Sequence, residues 1–247
     1  MVTSAIEVDN TSPLTYSNIR STFSTIERLR QTFYTIVNLE TVIDEDTTIF
    51  LIDISSDSEN LYHFFKYQKN LKIIFVKSEL NEIYETVKTH PNKSYCETLL
   101  LRSFMEKYKE ELLEYDFFFK LSGRYFTDKS FNVSYFDSNP SGLFFKVPLK
   151  FPWQEHWNFS IVDSRSEQQD NYIYQYSSVL YGWSKDYNEN MFYIYKVIEE
   201  ILSKKSCYQY DNETLLYYLT RQYHDNIKEM PWTVYGWDGV GGNFLRY

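Results

Sequence analysis

The sequence predicts an α/β protein in which helices flank a mainly parallel β-sheet. Three short apolar runs, at residues 48–53, 71–76 and 116–121, have the composition of strands that are buried on both faces. Segments with helical periodicity separate these runs, and such alternation is typical of layered α/β architectures. Right-handed crossover connections would then place helices on both faces of the sheet.

Two amphipathic helices are expected in the first half of the chain. Ser24 and Glu27 have the spacing of a capping box, in which a hydroxyl and a carboxylate bind free amides at a helix start. Apolar residues follow at helical spacing, and a second apolar stripe precedes the third strand. The stripes consist of Leu29, Phe33, Ile36 and Val37 in the first helix, and of Leu101, Phe104, Met105, Tyr108 and Leu112 in the second.

The second half of the chain has a less regular pattern. Residues 142–150 predict a strand that Pro148 and Pro152 would end, and residues 158–162 predict another short strand. The other expected elements are a helix through Met191, Ile194, Tyr195, Ile198 and Ile201, a helix over 213–223, and a loop over 236–242, where four of the seven glycines lie.

The composition favours one globular domain over residues 1–247. Hydrophobic residues make up 43% of the chain and aromatic residues 19%, which argues against intrinsic disorder. The net charge of −9 argues against a general nucleic-acid binder, which would carry a basic stripe. No apolar run approaches the roughly 18 residues of a membrane span, so no transmembrane segment is expected.

The first residues and the two cysteines indicate in which cellular compartment the protein is expected. Residues 1–13 lack a basic start followed by an apolar stretch, so a secretory signal is not expected. Cys96 and Cys207 have no C-x-x-C neighbour, which excludes zinc ribbons and thioredoxin-type sites by spacing. Two thiols in a chain of this length suit a reducing compartment, and we expect a cytoplasmic protein.

Ligands of parallel sheets bind beyond the carboxyl ends of the strands, and this rule selects two loops. One is 53–55, and the other is 122–125, where a buried strand ends in Lys120 and is followed by a Ser-Gly turn and Arg124. Gly123 permits a turn that other residues resist, so Lys120 and Arg124 could converge above the sheet. From the residues alone, two solvated cations at a strand end are the commoner interpretation.

Residues 119–125, Phe-Lys-Leu-Ser-Gly-Arg-Tyr, resemble the FKxSGRY segment of a group of bacterial and viral glycosyltransferases with a GT-A-like fold. The resemblance extends over roughly residues 15–130. It includes 20–36, with its Arg-Ser and Glu-Arg pairs, the Asp-x-Ser strand end at 53–55, and the helix start at 92–97. At Ser94 and Cys96 this chain departs from the glycines of the family pattern.

The resemblance implies a Rossmann-like, GT-A-type transferase that binds a nucleotide sugar and stabilises the leaving diphosphate. Such enzymes commonly hold a divalent metal ion on the diphosphate with an Asp-x-Asp motif, because hard cations favour carboxylate oxygen. This chain has Ser122-Gly-Arg124 at the comparable point, so no metal ligand is expected. A guanidinium can neutralise phosphate instead, and one charge pair at ~4 Å is worth about 4 kcal/mol at an effective dielectric constant of ~20.

The resemblance also implies a set of donor-binding residues. Asp53 would contact the nucleoside, although a capping acid for Ser55 or Ser56 explains it as well. Glu97 would favour the positive end of a helix dipole whatever the function. The expected donor-binding residues are Arg20, Ser21, Arg28, Asp53, Glu97, Lys120, Ser122, Gly123, Arg124 and Tyr125.

Catalytic and acceptor-binding residues are predicted from the second half. Asp163 is the first candidate for the base that takes the acceptor proton, and Glu213 the second, with Arg124 stabilising the leaving group. Acceptor-binding candidates are Trp232, Tyr235 and Trp237, because sugar faces pack on aromatic rings. Core packing explains buried tryptophans equally well. The four histidines, His63, His90, His156 and His224, lack metal-ligand spacing.

These observations predict a glycosyltransferase that moves a hexosyl or related group from a nucleotide sugar to a glycan or lipid-linked acceptor, as in polysaccharide biosynthesis. Residues 15–130 would form the donor-binding half and 131–247 the acceptor-binding half, with no cofactor besides the nucleotide-sugar co-substrate. A non-catalytic carbohydrate- or partner-binding module of the same fold is the alternative. A nucleotidyltransferase or phosphotransferase would need carboxylates for metal ions, and the missing Asp-x-Asp argues against it.

Overall fold

The computed structural model describes residues 1–56, 63–128, 130–152, 172–207 and 210–246. The strands are β1 (Val2–Ser4), β2 (Ile49–Asp53), β3 (Leu71–Phe75), β4 (Phe117–Ser122), β5 (Tyr125–Thr127), β6 (Leu143–Phe145), β7 (Leu149–Pro152), β8 (Tyr172–Gln175), β9 (Leu180–Ser184), β10 (Ile227–Glu229), β11 (Val234–Trp237) and β12 (Phe244–Arg246). The α-helices are α1 (Thr25–Glu40), α2 (Val76–Glu79), α3 (Asn81–Thr89), α4 (Lys93–Lys107), α5 (Lys109–Leu112), α6 (Asn188–Leu202) and α7 (Asn212–Thr220). Short 3₁₀ helices cover Val133–Phe136, Lys185–Tyr187, Lys205–Cys207 and Arg221–Asn226.

The main sheet has seven strands in the order β10-β6-β9-β4-β1-β2-β3. Strands β4, β1, β2 and β3 are parallel to one another, whereas β9 runs antiparallel to both β4 and β6. Helices pack around this sheet, and the predicted α/β architecture with its mainly parallel sheet is confirmed. The three apolar runs correspond to β2, β3 and β4.

Strand β1 lies between β2 and β4, and the sequence analysis did not predict it. It has three residues, too few for a visible apolar run, and Val2 is its one large apolar side chain. Its register places Val2 opposite Leu51 on one side and opposite Leu121 on the other. The carboxyl ends of β1, β2 and β4 therefore lie side by side, which sets the position of the functional site.

The first helix starts at the predicted capping box. The hydroxyl of Ser24 accepts the Glu27 N–H at 3.3 Å, and the Glu27 carboxylate accepts the Ser24 N–H at 2.8 Å. The helix buries Ile36 and Leu39 in the core, but it also buries Arg28. A buried arginine within an otherwise amphipathic helix indicates a site on that face, since arginine is rarely buried without a partner.

Two predicted elements of the second half differ in the structure. The expected strand at 142–150 is divided into β6 and β7 around Pro148, because β6 joins the main sheet and β7 pairs with β8 in a separate two-stranded sheet. The helix expected over 213–223 ends at Thr220 and tightens into a 3₁₀ segment. The strand expected at 158–162 lies outside the described residues.

The glycine-rich tail is partly strand, which corrects the expected loop over 236–242. Gly236 and Trp237 belong to β11, which pairs antiparallel with both β5 and β12. Pairing on both edges satisfies the backbone of this segment, and the absent side chain of Gly236 admits the ring of Tyr125. The C-terminal strands thus support the turn between β4 and β5.

Aromatic residues fill much of the core. Trp183 and Trp232 are among the largest side chains that are fully buried, and both cysteines, Cys96 and Cys207, are buried and unpaired. Within the portion of the chain that the structure describes, no helix has the length and apolar character required to cross a membrane.

Candidate functional site

A cavity of about 840 Å³ opens at the carboxyl ends of the central parallel strands. Its floor is formed where β1 and β4 end, and the segment after β2 contributes Ile54. The starts of α4 and α7 face it from two sides, and residues from both halves of the chain contribute to its wall. The cavity lies where parallel sheets of this kind bind ligands.

Among the described arginines that line this cavity, Arg28 and Arg124 are the two whose guanidinium groups are not fully engaged by backbone carbonyls. Nε of Arg124 donates to the Trp237 carbonyl at 3.1 Å, and Nη1 of Arg28 donates to the Ser21 hydroxyl at 3.0 Å. Nε of Arg28 donates to the Ala5 carbonyl. Neither arginine forms an ion pair with a carboxylate of the described residues.

Neither charge has a carboxylate in ion-pair contact, among the described residues, to offset its desolvation. Arg28 is 4% exposed, and burial, followed by the nearby charge of Arg124, lowers its pKa to about 9, against the favourable charge of Asp53. Burial also lowers the pKa of the half-buried Arg124, against the favourable charges of Glu97 and Asp238. Desolvated charges are ordinarily paired, so two arginines that make no ion pair at one cavity indicate an anionic ligand.

The turn between β4 and β5 places Arg124 at the cavity. The N–H of Gly123 donates to the Thr3 carbonyl at 2.8 Å, and a Cβ at Gly123 would lie 3.0 Å from the same oxygen. The turn therefore packs against the end of β1 in a way that favours glycine. Ser122 and Tyr125, on either side, also line the cavity, whereas Gly123 serves the turn.

Lys93, the first residue of α4, is another cation on the cavity wall. Burial, then the charges of Arg124 and Arg28, lowers its pKa to about 7. The sequence analysis did not select Lys93, although its position carries a signal. A cation at the first turn of a helix opposes the helix dipole, which favours anions there.

Two carboxylates face the cavity at the start of α7. Asp211 caps this helix by accepting the Thr214 N–H at 2.7 Å, and its other oxygen accepts the Gln175 amide at 2.9 Å. The Glu213 carboxylate accepts a hydrogen bond from the Ser178 hydroxyl. Burial, then the charge of Asp211, raises the pKa of Glu213 to about 8, and burial raises that of Asp211. The pair therefore holds a proton near neutral pH and suits proton transfer. Glu213 was predicted from the sequence as a candidate base, whereas Asp211 was not predicted.

Lys120 does not reach the cavity, contrary to the expectation that it would add to the charge on a diphosphate. Its ammonium group is fully buried, pairs with Glu97 and donates to the Ser122 hydroxyl at 2.9 Å. It also donates to the Ser178 carbonyl. Burial alone would raise the pKa of Glu97, but Lys120 lowers it, so that Glu97 is an anion. Glu97 lines the cavity and accepts the Asn212 amide at 3.1 Å.

Arg20 and Ser21 support the site from behind. The guanidinium of Arg20 lines the cavity but donates to the carbonyls of Ser12, Thr89 and His90 at 3.0–3.3 Å. Those bonds leave it little capacity for a ligand. Ser21 does not line the cavity and orients Arg28 through its hydroxyl.

Asp53 is fully buried and does not line the cavity. Its carboxylate accepts the Ser55 N–H at 2.8 Å and the Ile6 N–H at 3.2 Å. These are the contacts of the capping acid that the sequence analysis kept as an alternative. They tie the ends of β1 and β2 together beside the site.

The structure does not bring the three predicted acceptor-binding rings to the cavity. Trp232 is 1% exposed and packs in the core against Phe131, with ring centroids 4.5 Å apart. Tyr235 donates to Asp128 at 3.2 Å on the smaller sheet. Trp237 packs on that sheet as well, and only its carbonyl serves the site, through Arg124. Asp163 lies outside the described residues.

The cationic turn is a poor fit for a divalent metal ion. Ser122 and Arg124 offer a hydroxyl and a guanidinium where an Asp-x-Asp motif would offer carboxylates, and a guanidinium repels a cation. Across the described ranges, no group of three or more His, Cys, Asp or Glu side chains is arranged to hold a metal ion.

No protein-family model and no curated protein sequence matches this chain. Among solved structures, core-mannan synthase A from Aspergillus fumigatus, in its Mn/GDP form, is similar with a TM-score of 0.52 and 11% identity, over 94% of this chain and 73% of that one. A putative glucose-1-phosphate thymidylyltransferase from Bacillus anthracis, in complex with sucrose, is similar with a TM-score of 0.46 and 9% identity, over 95% and 87%. The likeness to the mannan synthase confirms the predicted Rossmann-like, GT-A-type fold.

Proposed function

We propose that this chain is a glycosyltransferase that moves a sugar from a nucleotide donor to a glycan or lipid-linked acceptor. One observation carries the proposal. Arg28 and Arg124 line a cavity at the carboxyl ends of the parallel strands, and neither forms an ion pair within the described part of the chain. A nucleoside diphosphate supplies two adjacent negative charges that fit this pair.

The arginines would act on the leaving group. As the bond between sugar and diphosphate breaks, negative charge grows on the phosphate oxygens, and fixed donors stabilise that charge without reorganising. Each guanidinium binds phosphate through two parallel hydrogen bonds. Because Arg28 and Arg124 are each anchored by a hydrogen bond from Nε to a carbonyl, their remaining N–H groups are positioned in advance. The chain thus neutralises the diphosphate without an Asp-x-Asp metal site.

Glu213 is the group that would accept the proton of the acceptor hydroxyl. It lines the cavity, and its carboxylate accepts a hydrogen bond from the Ser178 hydroxyl. Burial and the charge of Asp211 raise its pKa to about 8, so its ionised form, which is the base, becomes abundant as pH approaches 8. Gln175, Tyr176 and Ser177 form the wall beside it. We assign the acceptor to this wall instead of to Trp232, Tyr235 and Trp237, which keeps the acceptor-binding half within residues 131–247.

The structural comparison supports the choice of donor class. The mannan synthase that shares this fold was crystallised with GDP and Mn. In this chain we place a nucleoside diphosphate at the carboxyl ends of β1 and β4, next to Arg28 and Arg124. The two guanidinium groups would neutralise the diphosphate in place of a metal ion.

A thermal-shift panel tests the proposal. UDP, GDP, CDP, dTDP, CMP and their sugar conjugates are added with and without EDTA. A ligand at about 100 times its Kd stabilises a protein by about 2.7 kcal/mol, roughly 5–10 °C for a chain of this size. We expect one nucleotide to produce this shift, EDTA to leave it unchanged, and Arg124→Ala to abolish it. Arg30→Ala, an exposed arginine of α1, is the matched control.

The panel also separates the alternatives. If no nucleotide changes the melting temperature, the donor site is refuted, and glycan binding without a nucleotide effect would identify a non-catalytic module. If EDTA removes the shift, the proposal of metal-independent binding is wrong. The transfer reaction itself is then tested by release of nucleoside diphosphate from the donor that binds, with Glu213→Gln as the variant.

A further inference from the structure

The start of α4 presents free backbone donors to the cavity. The helix spans 15 residues, and the Asn92 side chain caps it by accepting the Tyr95 N–H at 2.9 Å. The N–H groups of Lys93 and Ser94 have no acceptor among the described residues, and both residues line the cavity. A helix N-terminus of this kind attracts anions through its free N–H groups and its dipole.

The amide of Asn92 provides an independent observation. Asn92 is 3% exposed and lines the cavity, yet its Nδ2 has no hydrogen-bond partner in the described part of the chain. A buried donor without an acceptor costs about 1–3 kcal/mol. The side-chain oxygen accepts the capping hydrogen bond, and the NH₂ group is left for an acceptor that the described residues do not supply.

Lys93 completes the arrangement. Its ammonium makes no ion pair or hydrogen bond within the described residues. Arg28 faces it from α1, Arg124 from the turn after β4, and Arg20 from the segment before α1. The nearby carboxylate on its own helix, Glu97, already pairs with Lys120. Lys93 therefore sits among like charges, and only an added anion would compensate it.

We propose that the start of α4 is a phosphate-binding subsite, formed by the N–H groups of Lys93 and Ser94, the Asn92 amide and the Lys93 ammonium. The phosphoryl group comes from the donor or from a phosphate on a lipid-linked acceptor. The first source rests on the proposed function, whereas the subsite itself does not. Because Lys93 is crowded by cations when the site is empty, it takes up a proton when the anion binds.

Calorimetric titration with inorganic pyrophosphate tests the subsite without knowledge of the nucleotide. Titrations at pH 8 in two buffers with different ionisation enthalpies report the number of protons taken up. Pyrophosphate carries a proton of its own at pH 8 and can release it on binding, so the uptake by Lys93 is the difference between the wild type and Lys93→Arg. We expect this difference to lie between half a proton and one proton, because the pKa of Lys93 without the anion is about 7. Lys93→Arg should keep the affinity and lose the uptake, and Lys93→Met should weaken binding at least tenfold.

Asn92→Asp is the second variant, and it preserves the fold. Aspartate caps helices as well as asparagine does, but it places a carboxylate where the NH₂ group was. We expect at least tenfold weaker pyrophosphate binding with an unchanged melting temperature. Lys196→Ala, an exposed lysine of α6, is the matched control. Wild-type affinity in both Asn92→Asp and Lys93→Met would overturn the subsite, as would equal proton uptake in the wild type and Lys93→Arg.

Competition identifies the source of the phosphate. If the nucleoside diphosphate found in the thermal panel displaces pyrophosphate, and Lys93→Met weakens both, the donor supplies the phosphate. If pyrophosphate still binds through Lys93 when the nucleotide is saturating, the acceptor supplies it. Pyrophosphate binding through Lys93 when no nucleotide binds would refute the proposed function and leave the subsite standing.

Discussion

Lys120 and Glu97 form an ion pair in which the lysine is fully buried and the glutamate faces the cavity. Through this pair the strand that carries the cationic turn is joined to α4, and Glu97 in turn holds Asn212 at the start of α7. The buried Lys120, at the end of β4, thus links the cationic turn to the start of α7, where Asp211 and Glu213 lie. It acts as a positioning residue and does not contact the ligand.

Breaking this ion pair should be costly. Lys120→Met leaves the half-buried Glu97 carboxylate, 22% exposed, without its ion-pair partner. Loss of one partner of a fully buried pair costs about 3–5 kcal/mol, and we expect a cost toward the lower end because Glu97 faces the cavity. Adding Glu97→Gln should recover part of this loss, because no charge then remains unpaired. The free energy of unfolding in urea measures both effects.

A matched control comes from a more exposed ion pair. Lys72 and Glu111 form an ion pair with 41% and 31% of their side chains exposed, and Lys72→Met should cost about 0–1 kcal/mol. Similar losses for Lys72→Met and Lys120→Met would show that the Lys120–Glu97 pair has no special role.

Glu213 should make stability fall as pH rises. Its pKa is about 8 in the folded chain against 4.5 as the ordinary value, so between these pH values the folded state binds more protons than the unfolded state. Stability must then decrease with rising pH, by at most about 1.4 kcal/mol per pH unit for one group. The stabilisation is complete below pH 4.5 and is lost as pH rises through 8.

Comparison with Glu213→Gln isolates this contribution from those of Asp211 and Lys93. The difference in unfolding free energy between wild type and variant, measured in urea at several pH values from 5 to 8, should move steadily in favour of the variant. Parallel curves for the two proteins would show that Glu213 has an ordinary pKa.

Gly236→Ala should disturb the cationic turn. A Cβ at this position would overlap the Tyr125 ring and the Arg124 carbonyl. Overpacking of this kind costs about 1–3 kcal/mol, and here it also displaces Arg124. We expect a lower melting temperature and a loss of stabilisation by nucleotide.

Gly182→Ala is the control for this effect. A Cβ at Gly182 would overlap the Phe119 ring in the core, away from the cavity. The variant should be destabilised to a similar extent and keep its nucleotide affinity. Equal nucleotide affinity in Gly236→Ala and Gly182→Ala would contradict the role given to β11.

Asp53→Ala tests the structural role of that acid. The substitution removes the acceptor of two buried N–H groups, those of Ser55 and Ile6, and should cost about 1–3 kcal/mol for each donor left unpaired. Nucleotide affinity, measured by calorimetry on the folded variant, should change less than about twofold. A large loss of affinity without a loss of stability would restore the nucleoside contact that the family resemblance implied.

Much of the fold could be predicted from the sequence, because apolar runs and capping residues determine strands and helix starts locally. Strands β2, β3 and β4 and the start of α1 followed from such patterns. Strand β1 did not, because three residues carry no periodicity and the strand exists only through its pairing with β2 and β4. Strand β11 was not predicted for a similar reason. Its glycine suggested a loop, and its partner strand β5 is more than 100 residues away in the sequence.

The candidate site was predictable only in part. Arg124 followed from the strand-end rule, and Arg28 from the family resemblance. Lys120 could not be distinguished from a ligand-binding cation, because its partner Glu97 lies on another element. Trp232 was misplaced because a tryptophan for sugar stacking and a tryptophan for core packing have the same sequence signal. Lys93 could have been selected by its unfavourable position at a helix start.

The central claim is that Arg28 and Arg124 bind the diphosphate directly. A crystal structure of the chain with the nucleotide identified by the thermal panel tests it most directly. The account predicts phosphate oxygens within hydrogen-bond distance of both guanidinium groups, at the carboxyl ends of β1 and β4. A diphosphate held there by a carboxylate-bound metal ion, or bound elsewhere on the chain, would contradict it.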